Sequence, residues 1–178
     1  MKYLKPYPMF EYLMKLEGFK QRPLLGMDVG KTCIGVSVSD PSHQIAQPLR
    51  SFNSEYDNLQ KEIGELISSH NTSGLVLGWR TYNMKPTENA LLVAQFAKTL
   101  QQRHDFGDLH FTVWDANYAT KSAELLIKKL NYLPGEEKGD LQMLASSCIL
   151  QGYLDFLNCD KSRLKPWSLK LWSPDLDE

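Results

Sequence analysis

Residues Leu24–Asp40 read LLGMDVGKTCIGVSVSD, and two interpretations of this stretch lead to different folds. The tripeptide Gly30-Lys31-Thr32 invites a phosphate-binding loop. Such a loop needs the spacing GxxxxGK[ST], a strand before it and a helix after it. Counting back from Gly30, the required glycine position holds Leu25, and Gly26 leaves the loop one residue short. The residues after Thr32 alternate, with Ile34, Val36 and Val38 on one face and Cys33, Gly35, Ser37 and Ser39 on the other. A period of two marks a strand, not a helix. Residues 24–29 and 33–39 are therefore expected to be two strands, with Gly30-Lys31-Thr32 as the turn.

Asp28 then falls in mid-strand. Leu25, Met27 and Val29 share one face, and Leu24, Gly26 and Asp28 share the other. A carboxylate buried there costs several kcal/mol unless something compensates it. The near positions on its face, Gly26, Gly35 and Ser37, are small and leave room for a ligand. A metal ion, or a phosphate with its metal, would supply the compensation. The alternative is that backbone amides or a basic residue bind Asp28.

Working outward, residues 9–17 read as an amphipathic helix, with Phe10, Leu13, Met14 and Glu17 in one stripe. A third strand is expected near 46–52, and a helix over 56–69 with Leu59, Ile63, Leu66 and Ile67 inward. Residues 74–79 are a short buried strand. A helix over 87–103 turns Leu91, Leu92, Phe96 and Leu100 inward. A strand at 109–115 precedes a helix at 118–130. Pro134-Gly135 breaks the chain before a last helix at 140–158, striped by Leu141, Leu144, Ala145, Cys148, Gly152 and Phe156. Strands joined by crossover helices give an α/β mixed sheet with helices on both faces. Residues 1–23 read as an N-terminal helical extension, 24–160 as the domain, and 161–178 as a flexible tail carrying Trp167 and Trp172.

The chain has 178 residues, 42% hydrophobic and 23% charged, with a net charge of −1. That suits one globular domain. It also supplies no global positive field, so a nucleic acid would have to meet a local patch. Cys33, Cys148 and Cys159 lack ligand-like spacing and are expected to be small buried hydrophobes in a reducing compartment. His43, His70, His104 and His110 likewise show no ligand spacing. No run approaches the ~20 apolar residues of a membrane span, and the N-terminus lacks a secretory core, so the expected location is the cytoplasm.

Four segments carry a family resemblance. DVGKTCIGVSVSD (28–40) followed by IAQPL (45–49), VLGWRTYNMKPTE (76–88), VWDANYATKSAELL (113–126) and KGDLQMLASSCILQGYLDF (138–156) occur in the order found in the YqgF/RuvX family. That family is described as Holliday-junction resolvases and as nucleases maturing pre-16S ribosomal RNA. The resemblance runs from about Leu24 to Leu157. It implies a ribonuclease H-like fold, with a mixed five-stranded sheet and helices on both faces.

The resemblance also implies metal-dependent endonuclease chemistry. Carboxylates from the first strand, a later strand end and the last helix hold divalent ions, ~3.5–4 Å apart when paired, that activate water and stabilise the leaving oxygen. Magnesium suits such oxygen ligands. Carried over by position, the first-strand aspartate is Asp28, and the aspartate of the Asp-Glu-Arg segment is Asp115. Asp28 and Asp115 are therefore the candidate catalytic and metal residues. The family's glutamate is replaced by Ala116, its arginine by Asn117, and its last-helix aspartate by Gln142, so magnesium would be held weakly or lost. Asp140 lies ~200° around the helix from Gln142 and suits an N-cap. Asp40 either joins the site or serves the turn before Pro41.

Arg80 stands where the family often has proline. With Lys31, Thr32 and Asn83 it is a candidate for contacting nucleic acid. Lys121 and Lys128 share a helix face. Trp79 and Trp114 fit core packing better than base stacking. Two functions stay open: a family-type endonuclease with a reduced acidic site, or a non-catalytic relative that binds nucleic acid or a protein. A sugar-kinase or actin-like fold would need two such domains, and this length holds one.

Overall fold

The computed structural model describes residues 1–55, 58–83, 85–102, 106, 109–129 and 139–159. The Pro134-Gly135 break, His104 and the tail 161–178 lie outside the described residues. In chain order the elements are β1 (Lys2–Tyr3), α1 (Pro6–Lys15), a 3-10 turn (Phe19–Gln21), β2 (Leu24–Val29), β3 (Cys33–Ser39), β4 (Ala46–Asn53), α2 (Leu59–Ser69) and β5 (Gly74–Trp79). Then follow β6 (Thr81–Tyr82), β7 (Lys85–Pro86), α3 (Glu88–Gln101), β8 (His110–Asp115), α4 (Ala119–Lys129) and α5 (Gly139–Asn158).

β2 and β3 form the expected hairpin. The Gly30 N–H donates to the Cys33 carbonyl at 2.9 Å, closing the turn, and Asp28 lies opposite Gly35. No helix follows the lysine, so Gly30-Lys31-Thr32 is a strand connection. β4 pairs antiparallel with β3, with a register shift between Val36 and Ser37. β5 runs parallel to β2, and β8 parallel to β5. The strand order is β1-β8-β5-β2-β3-β4. The expected five strands are all present. The sixth, β1, comes from the N-terminal extension, whose backbone is stitched to β8 by Lys2 N–H to Leu109 O and Leu4 N–H to Phe111 O. Two residues carry no readable periodicity, so nothing in the sequence marked this strand.

Alternation on the strands splits the apolar residues into two cores. On one face Met27, Val29, Ile34, Leu77, Phe111 and Val113 meet Ile63 and Ile67 of α2 and Val93 and Leu100 of α3. On the other, Leu24 and Val76 meet α5 (Ala145, Ile149, Leu150, Tyr153), α4 (Ala119, Ala123) and α1 (Met9, Leu13). Each such fully buried aliphatic side chain stabilises the fold by ~1.5–3 kcal/mol. Trp79 is buried, and Trp114 packs on Tyr153 and Phe156 with ring centres 5.3 and 5.2 Å away, so both tryptophans belong to the core as expected. No helix among the described residues is long and apolar enough to cross a membrane.

Several helix faces differ from expectation. α1 starts at Pro6, where a fixed φ favours the first helical position, and it buries Pro6, Met9 and Leu13 while Met14 is half exposed. In α3, the Thr87 side chain accepts from the Ala90 N–H and sets the helix start. That phase turns Ala90, Val93, Ala97 and Leu100 inward and leaves Leu91 exposed. In α5 the buried residues include Ser146, Ile149, Leu150, Tyr153, Leu154 and Leu157 as well as Ala145, because the sheet covers one side and α4 another. Cys33 is buried as expected, but Cys159, one residue past α5, is exposed.

Candidate nucleic-acid interface

The C-terminal ends of β2, β5 and β8 lie side by side, and the candidate residues gather there. Met27 pairs with Leu77, so β5 runs beside β2 and releases Arg80 just past its end. The Arg80 side chain returns over β2. One terminal nitrogen, Nη2, donates to both oxygens of Asp28, at 2.9 and 3.0 Å. The same nitrogen donates to Thr120 Oγ1 at 3.1 Å, and Nε donates to the Ala116 carbonyl at 3.3 Å. The Asp28 side chain is 5% exposed and that of Arg80 is 25% exposed. Burial pushes the Asp28 carboxyl above its usual range, and the Arg80 guanidinium opposes that shift without cancelling it.

Of the two compensations open to Asp28 in the sequence, the structure displays the basic residue. Arg80 was expected to face a phosphate backbone; here its guanidinium is turned inward onto a carboxylate. Thr120 was missed as its partner, since a threonine in the first turn of a polar helix gives no signal in sequence.

The small neighbours of Asp28 predict room for a ligand, but α5 fills that space. A Cβ at Gly26 would lie 2.6 Å from Leu150 Cβ, and one at Gly35 would overlap the Gln142 carbonyl. Gly26 and Gly35 therefore admit a helix. This contact also brings position 142 beside Asp28, because Gly35 is the cross-strand partner of Asp28. The Gln142 Oε1 atom is buried and has no hydrogen-bond partner. Ala116 is buried among the residues on this same face.

Asp115 sits elsewhere. Phe111 and Val113 face α2 and α3, and alternation carries Asp115 to that side, away from Asp28. It is exposed, and its Oδ1 accepts the N–H of Asn117, two residues on, as aspartates do in turns. The structure thus gathers positions 28, 116 and 142 and leaves 115 apart. Among the described residues no group of three or more His, Cys, Asp or Glu side chains could hold a metal ion.

The remaining candidates lie at the rim. Lys31 is exposed and pairs with Glu88 at 3.1 Å. Thr32 is exposed, and its carbonyl accepts from the Ser54 N–H. Asn83 occupies the β6–β7 turn with φ of 48°, a left-handed conformation that asparagine tolerates. Asp40 serves its turn: its oxygens accept the N–H groups of Ser42, Gln44 and Ile45 and the Ser42 hydroxyl, which hold its pKa down to about 2. Asp140 lies inside the first turn of α5, one residue past its start.

A mixed sheet opened by an aspartate-bearing central hairpin, flanked on both faces by helices and closed by a long C-terminal helix against that aspartate, is a ribonuclease H-like fold. Solved structures agree with it at the level of fold. A Thermus thermophilus RuvC bound to a Holliday junction superposes with a TM-score of 0.51 over 77% of this chain and 96% of that one, at 12% identity. A second Thermus RuvC structure gives 0.50 over 76% and 96%, at 10% identity. The family model described as "RuvX: Holliday junction resolvase" matches residues 22–156, and the chain belongs to the RuvX family. Two bacterial relatives carry the name "Putative pre-16S rRNA nuclease". One, from Caldicellulosiruptor saccharolyticus, is 29% identical over 138 residues, spanning 76% of this chain and 98% of the relative. The other, from Ruminiclostridium cellulolyticum, is 31% identical over 137 residues, spanning 74% and 93%.

Proposed function

We propose that this RuvX-family protein binds structured nucleic acid, a ribosomal RNA precursor or a branched junction, without hydrolysing it through a metal ion. The single observation that carries this reading is the guanidinium of Arg80 on both oxygens of Asp28. A magnesium ion needs several oxygen ligands at close range, at least one or two of them carboxylate. The set beside Asp28 is an alanine, a neutral glutamine and an aspartate already engaged by a cation. This set does not fit a divalent ion. Arg80 supplies the positive charge that the buried carboxylate requires, so the fold keeps its central aspartate with no metal.

Nucleic acid as the partner rests on family membership and on the names of the relatives. The reading is tested by incubating the purified chain with a four-way junction and with precursor 16S RNA, in magnesium and in manganese. We expect retarded complexes and uncut strands in both metals. Cleavage that disappears in Asp28→Asn would establish a working metal site and refute the reading.

A further inference from the structure

The ends of β5 and β8 are tied together a second time beyond the arginine. The Thr81 N–H donates to Asn117 Oδ1 at 2.9 Å, and Asn117 Nδ2 donates to Thr81 Oγ1 at 3.3 Å. Each member of this reciprocal pair is followed at once by a tyrosine. Tyr82 is 74% exposed and Tyr118 is 73% exposed. Consecutive Cα atoms lie ~3.8 Å apart, so each tyrosine is one residue from the same short bridge.

Each tyrosine also has a lysine beside it. Lys85 is the cross-strand partner of Tyr82 in the β6–β7 hairpin. Lys121 follows Tyr118 by three residues at the start of α4, a spacing that puts both on one side of a helical turn. The Ser122 N–H donates to the Tyr118 carbonyl, so that turn already includes Tyr118. Both lysines are exposed and have no ion-pair partner among the described residues. Two large rings kept in water run against the usual fate of aromatic surface. The bridge adds rigidity, which lowers the entropy cost of using them.

We infer that Tyr82 and Tyr118 form a paired stacking platform for unpaired nucleobases, with Lys85 and Lys121 holding the adjoining phosphates. This inference rests on the proposed nucleic-acid function and narrows it: the preferred ligand carries single-stranded bases, at a loop, an end or a junction centre. Every base offers a π-face, so such a platform is tolerant of sequence, while duplex bases are already stacked and unavailable to it. The phosphate contacts act on single and double strands alike.

The test measures affinity of the full chain for labelled single-stranded and duplex oligonucleotides, RNA and DNA, at two salt concentrations. We expect the single strand to bind more tightly. Tyr82→Ala and Tyr118→Ala should each lose about tenfold on it, with less than about twofold change on the duplex, while Tyr82→Phe and Tyr118→Phe retain binding. Lys85→Ala and Lys121→Ala should weaken both forms and flatten the salt dependence. Comparing RNA with DNA tells whether the sugar contributes. If the wild-type chain binds nucleic acid but the alanine variants bind the single strand equally well, the platform is overturned and the proposed function stands. If the wild-type chain binds neither form at low salt, the platform is overturned, and the proposed function is decided separately by the junction and the precursor RNA. If the alanine variants instead dissociate an oligomer in solution, the tyrosines are a contact between copies and the platform is overturned.

Discussion

Replacing Arg80 by methionine keeps most of the side-chain volume and removes the charge. Asp28 is 5% exposed in the wild-type chain, and the variant removes both hydrogen bonds that reach its oxygens from Arg80. Removing one partner of a buried ion pair costs ~3–5 kcal/mol, because the remaining charge is left uncompensated. For a chain of this size 1 kcal/mol shifts Tm by ~2–4 °C, so the melting point should fall by about 6–20 °C. The loss should depend on pH with a definite sign. Asp28 is already raised by burial, and without Arg80 it rises further. A folded-state pKa above the unfolded one means that the folded state binds the proton more tightly, so stability falls as pH rises through the folded-state value. The gap between wild type and variant should therefore be wide at pH 8 and narrower at pH 5. Urea unfolding at both values measures it. Thr120→Val is the control: it removes one hydrogen bond from the same guanidinium and should cost only ~0.5–1.5 kcal/mol, with no such pH trend. A cost below ~1 kcal/mol for Arg80→Met at pH 8, or one that is equal at both pH values, would refute the compensating role of Arg80.

Two further outcomes follow from the packing. Gly35→Ala drives a methyl group into the Gln142 carbonyl of α5 and should cost at least ~2 kcal/mol; an unchanged urea midpoint would show that α5 does not seat directly on β3. His43 is buried against Phe19, with its Nε2–H donating to the Arg22 carbonyl at 3.0 Å, and burial pushes its pKa below the usual value. Its contribution is therefore present above the unfolded histidine value, ~6.5, and is lost as pH falls through the lower folded value. His43→Asn tolerates the left-handed φ of 54° and should flatten the loss of stability as pH falls below the unfolded histidine value; a slope equal to wild type would contradict this.

The strands were legible because period two is written plainly in Ile34, Val36 and Val38, and the short run 74–79 has no room to be anything but a buried strand. The helices were legible as elements but not in their facing. α3 and α5 offer apolar residues on more than one side, and the cap at Thr87 or the arrival of α4 chooses among them. At the site, the sequence located the buried carboxylate and the replacements at 116 and 142. It did not reveal that Arg80 folds inward, because strand order and register decide which residue lies beside Asp28, and these are long-range properties. The small residues around Asp28 were equally ambiguous: Gly35 serves a ligand or a helix equally well until the position of α5 is known.

Manganese titration by calorimetry, on the wild-type chain and on Asp28→Asn, bears most directly on whether a guanidinium stands in the place of the metal. We expect superimposable isotherms, with no stoichiometric binding in either protein. One equivalent of tightly bound manganese in the wild type, absent from Asp28→Asn, would mean that the ion displaces Arg80 and that the catalytic site is intact.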